Sequence, residues 1–319
     1  MANASTLHKI PLVVIAGATA SGKTKLGIEL AKVFHGEVIS CDSMQIYKNL
    51  DIGTAKPTHS EIHGIPHHMV NIVHPTEDFS VEKFCRLAEK KIKEIHMRGK
   101  LPILVGGTGL YIDNTVLATS FGAPKRDEKL SAALSAYAKE HGNQALFEIL
   151  KKEDPGASLT LHPNDTKRVI RAIETVRTTG MTRKYLDKES RPLESPYNYI
   201  YMAIDMDRST LYSRIEKRVD IMLRDGLLEE VQKYILPQMK EMSTALMAIG
   251  YREAVWYFKG LCTYGEMVSL LKRNTRRYAK RQLTWLRKNN EVIWLESENA
   301  YSHARQLIKE RILTNEDTN

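Results

Sequence analysis

Along this chain, short solid apolar runs alternate with stretches of helical spacing, a rhythm that predicts an α/β protein. Ile10 to Ala16 is a continuous run rich in β-branched residues; it leads into a glycine-rich turn and then into an amphipathic helical pattern. Similar short runs recur at Glu37 to Ser40, at Leu101 to Val105, in "YNYIYMAIDM" and in "EVIWLE" near the end. Together they predict a mostly parallel sheet. Between about Ala123 and Pro196 the character changes to helical patterns only ("LSAALSAYAKEHG", "NQALFEILKK", "DTKRVIRAIETV"), separated by Gly and Pro. This order predicts an α/β core built from residues 1–122 and 197–319, interrupted by a helical module over 123–196.

Composition narrows the class. A chain of 319 residues with 42% hydrophobic content can bury a large core. No apolar run is long enough for a signal peptide or a membrane span, which predicts a soluble, cytoplasmic protein without a membrane segment. Cys41, Cys85 and Cys262 lie far apart with no CxxC pair, arguing against a disulfide framework or a thiolate zinc site. No heptad repeat or uncovered apolar stripe asks for a dimer, so a monomer is expected.

The chemistry begins at "GATASGKT", residues 17–24, which matches GxxxxGK[ST] with a strand before it and a helix after it. Such a loop turns backbone N–H groups onto an anionic oxygen cluster at a helix N-terminus. In that reading Gly17, Ala18, Thr19, Ala20, Ser21 and Gly22 wrap a diphosphate, Lys23 reaches its outer phosphate, and the Thr24 hydroxyl holds Mg²⁺. The geometry asks for a diphosphate with its metal; ATP is one candidate among several.

The second run ends at Asp42-Ser43-Met44-Gln45, at the sheet edge that faces the same crevice. Asp42 has three readings: a metal-holding acid of an NTPase, a general base for an acceptor attacking near the phosphate, or a helix N-cap. Gln45 beside it is suited to the donor and acceptor edge of a nucleobase. The third run ends in Gly106-Gly107-Thr108-Gly109, where the glycines serve either close ligand approach or tight packing of strand against helix.

Net charge is +9, and its placement matters more than its sum. From Glu266 to Glu291 there is no acidic residue between, while Lys272, Arg273, Arg276, Arg277, Lys280, Arg281, Arg287 and Lys288 recur at helical spacing. Leu271, Tyr278, Ala279, Leu283 and Leu286 supply the opposite, buried stripe. A helix with one basic face is a footprint for a nucleic-acid backbone. Lys167, Arg168 and Arg171 form a second basic patch on a helix that Asp165 can cap and Gly180 can end. Arg214 and Arg218 lie one turn apart, with Glu216 or Asp220 as ordinary ion-pair partners. His59, His63, His67, His68 and His74 crowd one segment, but their spacing is irregular for zinc.

The blocks "GATASGKT", "DSMQIYKNLDIGTAKP", "GIPHHMVNIVHP", "PILVGGTGLY", "HPNDTKRVIRAIE", "AIGYREAV" and "RRYAKRQLTWLRK", in this order, resemble the bacterial tRNA dimethylallyltransferase family. The resemblance implies transfer of a dimethylallyl group from its diphosphate to N6 of the adenine just 3′ of the anticodon, with Mg²⁺. It implies Asp42 as the base, Thr108 at the target nucleotide and an arginine, for which Arg218 is favoured, completing the diphosphate site. It further implies that Asp42, Ser43, Met44, Gln45 and Thr108 meet the tRNA. Lys167, Arg168, Arg171 and the Gly250-Tyr251-Arg252 turn would grip the anticodon stem-loop, with Arg276, Arg277, Lys280 and Arg281 on the basic helix. Eukaryotic members often carry a C-terminal Cys/His zinc finger, which "KERILTNEDTN" lacks. Three other activities share parts of this pattern: a small-molecule kinase, a transferase acting on free adenine nucleotides, and a noncatalytic RNA-binding protein.

Overall fold

The computed structural model describes residues 9–120, 127–190, 192, 194–240 and 244–313. Among them β1 (Ile10–Ala16), β2 (Gly36–Cys41), β3 (His67–His68), β4 (Leu101–Gly106), β5 (Tyr197–Asp205) and β6 (Ile293–Glu296) form one sheet in the order β3-β2-β4-β1-β5-β6. Every pairing is parallel. The unbroken apolar runs follow from this, because parallel strands are covered on both faces and have no solvent side to mark with polar residues.

On one face, Leu26, Leu30 and Ala31 of the Lys23–Val33 helix and Ala300, Ala304, Leu307 and Ile308 of the Ala300–Ile308 helix pack over Val13, Ile15, Ile103, Val105, Ile200 and Met202. A Cβ on Gly27 would stand 2.6 Å from Val105 Cγ2, so the glycine sets how closely helix and sheet approach. Against β1, β2 and β4 lies the Val81–Met97 helix, started by Ser80 Oγ accepting from Lys83 N. Its buried Phe84, Ala88, Ile92 and Ile95 fall on one stripe.

Register places the chemistry. Ala16 and Cys41 both pair with Gly106, one from each side, at the carboxyl ends of β1, β2 and β4. The glycine-rich turn, Asp42 and Gly107-Thr108 therefore leave the sheet at one level. Beyond that edge, Ile46, Tyr47, Leu50 and Val73 form a second core with Val219, Leu227, Val231, Tyr251, Ala254 and Leu271. It includes the Arg208–Arg224, Tyr251–Phe258 and Tyr264–Leu286 helices.

The crowded histidines build the sheet edge. His67 Nδ1 meets Ile65 O at 2.8 Å, His74 Nδ1 meets Thr76 Oγ1 at 2.8 Å, and His68 Nε2 meets Glu37 Oε2 at 2.7 Å. Arg98 donates to the same Glu37 oxygen at 2.6 Å. Burial alone would raise the Glu37 carboxyl, but the His68 and Arg98 hydrogen bonds outweigh it and hold the group below its usual range. Among the described residues, no group of three or more His, Cys, Asp or Glu is gathered as metal ligands, and no helix is long and apolar enough to cross a membrane.

Residues Leu117–Ser195 form a separate unit. It holds helices Glu128–Glu153, Pro155–Ser158, Thr166–Thr179 and Arg183–Glu189. The first joins two of the helical patterns across a break at Gly142. Leu134, Leu146 and Leu150 pack on Val169 and Ile173. Buried Glu174 accepts from Asp127 N and from Arg171 Nη1. Ala123, the expected start of the helical module, lies outside the described residues, as do the last six residues of the chain.

Candidate active site

The turn after β1 is held by apolar contacts that its sequence does not announce. Ala18 and Ala20 are buried against Leu211, Ile215 and Ala279, so the Arg208–Arg224 and Tyr264–Leu286 helices support it. Gly22, at φ +96°, starts the Lys23–Val33 helix in the left-handed region with no side-chain cap, leaving the first helical N–H groups available to an anion. Lys23 Nζ donates to Ala18 O at 3.1 Å. Burial, and secondarily the Arg218 charge, pushes its ammonium down to about 8, against the opposing pull of Asp42. Arg218 Nη1 donates to Thr19 Oγ1 at 3.4 Å, and burial lowers its pKa too. Arg214 stands at the same loop, its Nη1 3.9 Å from where a Gly22 Cβ would lie. Lys23, Thr24, Arg214, Arg218, Asp42 and Lys56 all line one cavity of about 860 Å³.

Facing the loop, Asp42 Oδ1 accepts from Met44 N at 2.8 Å and Gln45 N at 3.4 Å. Residues 43–46 form turns and no helix, so Asp42 caps a turn. Its other oxygen, Oδ2, has no hydrogen-bond donor among the described residues. Thr108 Oγ1 accepts from Ser43 N at 3.2 Å, tying the end of β4 to that of β2. Tyr278 lies beside the Thr108 and Gln282 side chains; burial, and then the Asp42 charge, raises its pKa above the ordinary phenol range. The periodicity of the helix puts Tyr278 on the buried stripe.

Several of the residues expected to meet the tRNA already have partners within the protein. The Gln45 amide is spent inside the protein: Nε2 donates to Thr54 O at 3.3 Å and Ala55 O at 3.2 Å, while Oε1 accepts from Ser40 at 2.9 Å. It shapes the cavity wall and keeps no free amide edge for a base. Ser43 gives its N–H to Thr108, and half-buried Met44 packs on the second core. Tyr251 is fully buried and donates to Glu230 Oε1 at 2.7 Å, so its side chain offers RNA no surface. Gly250 is likewise buried, its N–H donated to Glu253 Oε2 at 2.8 Å.

Glu230 is the residue that sequence reading missed. Its carboxylate accepts from the N–H groups of Asp51, Ile52 and Gly53 at 2.7, 2.8 and 3.0 Å. A Cβ on Gly53 would strike the Tyr251 ring at 2.5 Å. Glu230 and Tyr251 thus clamp the segment that carries Asp51 and Ile52 into the cavity wall. Lys56 is spent there as well, donating to Tyr47 O, to Asp51 at 2.7 Å and to Asn71 at 2.6 Å. Nothing in "LLEEVQ" distinguishes Glu230 from a surface helix acid.

The glycines after β4 serve packing. A Cβ on Gly106 would lie 2.2 Å from Cys41 O, on Gly107 2.0 Å from Gln282 Nε2, and on Gly109 2.2 Å from the Trp285 ring.

The basic helix is less uniformly free than its sequence suggests. Lys272 pairs with Asp220 at 2.6 Å, and Arg276 with Glu216 at 2.5 Å. Arg277, Lys280 and Arg281 remain exposed, Arg281 lying over the Tyr278 ring. Arg252 donates to Glu253 at 2.6 Å and stacks on Trp256. In the Leu117–Ser195 unit, Lys167 and Arg168 are exposed, Arg168 lying 3.2 Å from Asp165, while Arg171 is tied to Glu174. Asp165 sits at the helix start without a side-chain capping bond, and Gly180 ends the helix at φ +71°.

Comparison with known proteins covers most of the chain. A model of the isopentenyl transferases matches residues 10–71, spanning the glycine-rich turn and Asp42. The tRNA dimethylallyltransferase of Bacillus pumilus is 45% identical over 90% of both chains, and that of Acetivibrio thermocellus 48% identical over 90% of this chain and 92% of its own. Among solved structures, the tRNA isopentenylpyrophosphate transferase of Bacillus halodurans superposes with a TM-score of 0.73 at 42% identity, covering 97% of this chain and 98% of the other. A eukaryotic dimethylallyltransferase acting on tRNA gives 0.80 at 29% identity, covering 96% and 80%. With the IPP transferase model matching residues 45–289 as well, the chain belongs to the IPP transferase family.

Proposed function

We propose that the protein transfers a dimethylallyl group from dimethylallyl diphosphate to N6 of the adenine immediately 3′ of the anticodon in tRNA, releasing diphosphate. The observation that carries this reading is the level ending of β1, β2 and β4, which sets a cationic phosphate loop opposite an uncommitted carboxylate oxygen. In transfer, a C–N bond forms between N6 and the allylic carbon while the C–O bond to diphosphate breaks and its electron pair leaves with the phosphate. Loop N–H groups, Lys23, Arg214 and Arg218 stabilise that growing charge. Asp42 Oδ2 takes the N6 proton, restoring nucleophilicity to a lone pair otherwise delocalised into the ring.

Thr108 acts by holding Ser43, and with it the turn that aims Asp42. Thr24 lines the same cavity, and its hydroxyl is a hard oxygen donor of the kind Mg²⁺ takes. It would hold the ion, which when bound supplies charge neutralisation to the diphosphate. The exposed Arg277, Lys280 and Arg281, and separately Lys167 and Arg168, supply cationic surface for the RNA backbone. An unpaired loop adenine costs least to draw out of its stack, only a few kcal/mol.

The test is direct. Purified protein is mixed with Mg²⁺, dimethylallyl diphosphate and an unmodified tRNA carrying adenine 3′ of its anticodon, and the digested nucleosides are weighed; a parallel tube holds ATP as the only donor. Prenylated adenosine in the first tube is the expected result. No product there, with phosphate transferred or released in the ATP tube, would turn the loop into a nucleotide site and Asp42 into a kinase base.

A further inference from the structure

Gln282 lies on the inner side of the Tyr264–Leu286 helix and is only 5% exposed. Its amide bridges two segments that meet nowhere in sequence. Oε1 accepts from Thr19 N in the phosphate loop at 2.8 Å, and Nε2 donates to Gly107 O, just before Thr108, at 3.0 Å. Both partners are backbone groups, so the bond fixes where the loops run, whichever side chains they carry. Gly107 makes room for the amide, since a Cβ there would stand 2.0 Å from Gln282 Nε2. One turn further along the helix, Trp285 occupies the space that Gly109 leaves and donates to Asp113 at 2.7 Å. The helix is therefore docked along the whole segment that follows β4.

We infer that Gln282 is a positioning residue for the transfer: it holds the donor's phosphate loop at a fixed distance from the Gly107-Thr108 turn that aims Asp42. The inference rests on the transferase reading above. Thr19 N is taken by Gln282, while the N–H groups at the start of the Lys23–Val33 helix are left open to the diphosphate, and the exposed cations lie on the other side of the Tyr264–Leu286 helix from Gln282. Its contribution is to the geometry in which the allylic carbon and N6 meet, where a displacement of about 1 Å costs on the order of 10²-fold in rate.

Gln282→Met keeps the length of the side chain and removes both bonds. With active sites counted by bound dimethylallyl diphosphate, kcat is expected to fall about 10- to 100-fold. The tRNA Kd and the KM for the diphosphate should stay within about threefold, since their contacts remain. A second set of variants guards against a fold defect. Gly107→Ala alone should also lower kcat, because the new methyl displaces the amide, and adding it to Gln282→Ala should cost much less, because only the milder 3.2 Å approach to Gly17 O remains. Unchanged kcat in Gln282→Met overturns the inference, as does a tRNA Kd that rises in step with the loss, or full additivity of Gly107→Ala and Gln282→Ala. A wild type that transfers nothing overturns the transferase reading and this inference with it; a working wild type with an indifferent Gln282→Met overturns this inference alone.

Discussion

Lys23 carries the most quantitative consequence of the site. In the free protein its pKa is pushed from the ordinary 10.5 down to about 8, because the ammonium is stripped of water beside Arg218. A depression of that size corresponds to at most about 3.5 kcal/mol of unfavourable charge burial, at about 1.4 kcal/mol for each pH unit, and solvent contact of the half-buried side chain screens part of it. The sign follows from linkage. Between pH 10.5 and 8 the unfolded chain takes up the proton first, so the penalty grows as pH falls through this window and is fully present below 8. A bound diphosphate supplies the missing counter-charge and returns the group toward its ordinary value.

Binding above pH 8 must then draw a proton from solvent. At pH 9, about 0.9 proton should be taken up per diphosphate, against about 0.1 at pH 7, and affinity should fall about tenfold between the two. Calorimetry of dimethylallyl diphosphate binding, without tRNA, in two buffers of different ionisation enthalpy reads the proton count directly. Lys23→Arg keeps a charge that does not titrate in this range and should flatten both the uptake and the affinity profile. Zero uptake at pH 9 in the wild type, or equal uptake in Lys23→Arg, would refute the assignment of this loop lysine as the buried partner of the anion.

Asp42→Asn should lower transfer about 10²- to 10⁴-fold while leaving the tRNA Kd in place, measured by nucleoside mass analysis and filter binding; lost RNA binding would remove Asp42 from the role of base. Tyr251→Phe removes one buried hydrogen bond to Glu230 and should cost about 1 kcal/mol of stability with tRNA affinity unchanged. Weaker RNA binding at an unchanged melting temperature would return Tyr251 to the interface. Arg277→Ala and Lys280→Ala should each reduce the slope of log K against log salt for tRNA binding by about one, whereas Lys272→Ala, already paired with Asp220, should change it less. Equal slopes for all three would mean that the Asp220 pair opens for RNA.

What the sequence made legible and what it hid differ in physical kind. The strands could be read because a parallel strand is buried on both sides and so writes its whole length in apolar residues, as β1 does in "IPLVVIA". The glycine-rich turn could be read because it is made by backbone, and glycine at Gly22 permits the left-handed conformation that starts the helix with its first N–H groups uncapped. Polar side chains are another matter, since their type shows what they are able to bind and not what already occupies them. Gln45, Tyr251 and Arg276 all look like recognition residues in one dimension. Their partners, Thr54 and Ala55, Glu230, and Glu216, are brought by the fold and do not show in the local sequence.

The same reasoning runs in reverse for Glu230 and Gln282, ordinary helix residues in sequence, which the fold sets against backbone amides more than 170 and 260 positions away. Glycines mark where such arrivals occur. Gly53 admits the Tyr251 ring, Gly107 admits Gln282 and Gly109 admits Trp285, so each marks an incoming side chain whose identity the local sequence does not name. The donor and acceptor halves of the site are each local and readable. Their separation is set by Gln282, a residue of the same helix whose outer side carries Arg277, Lys280 and Arg281.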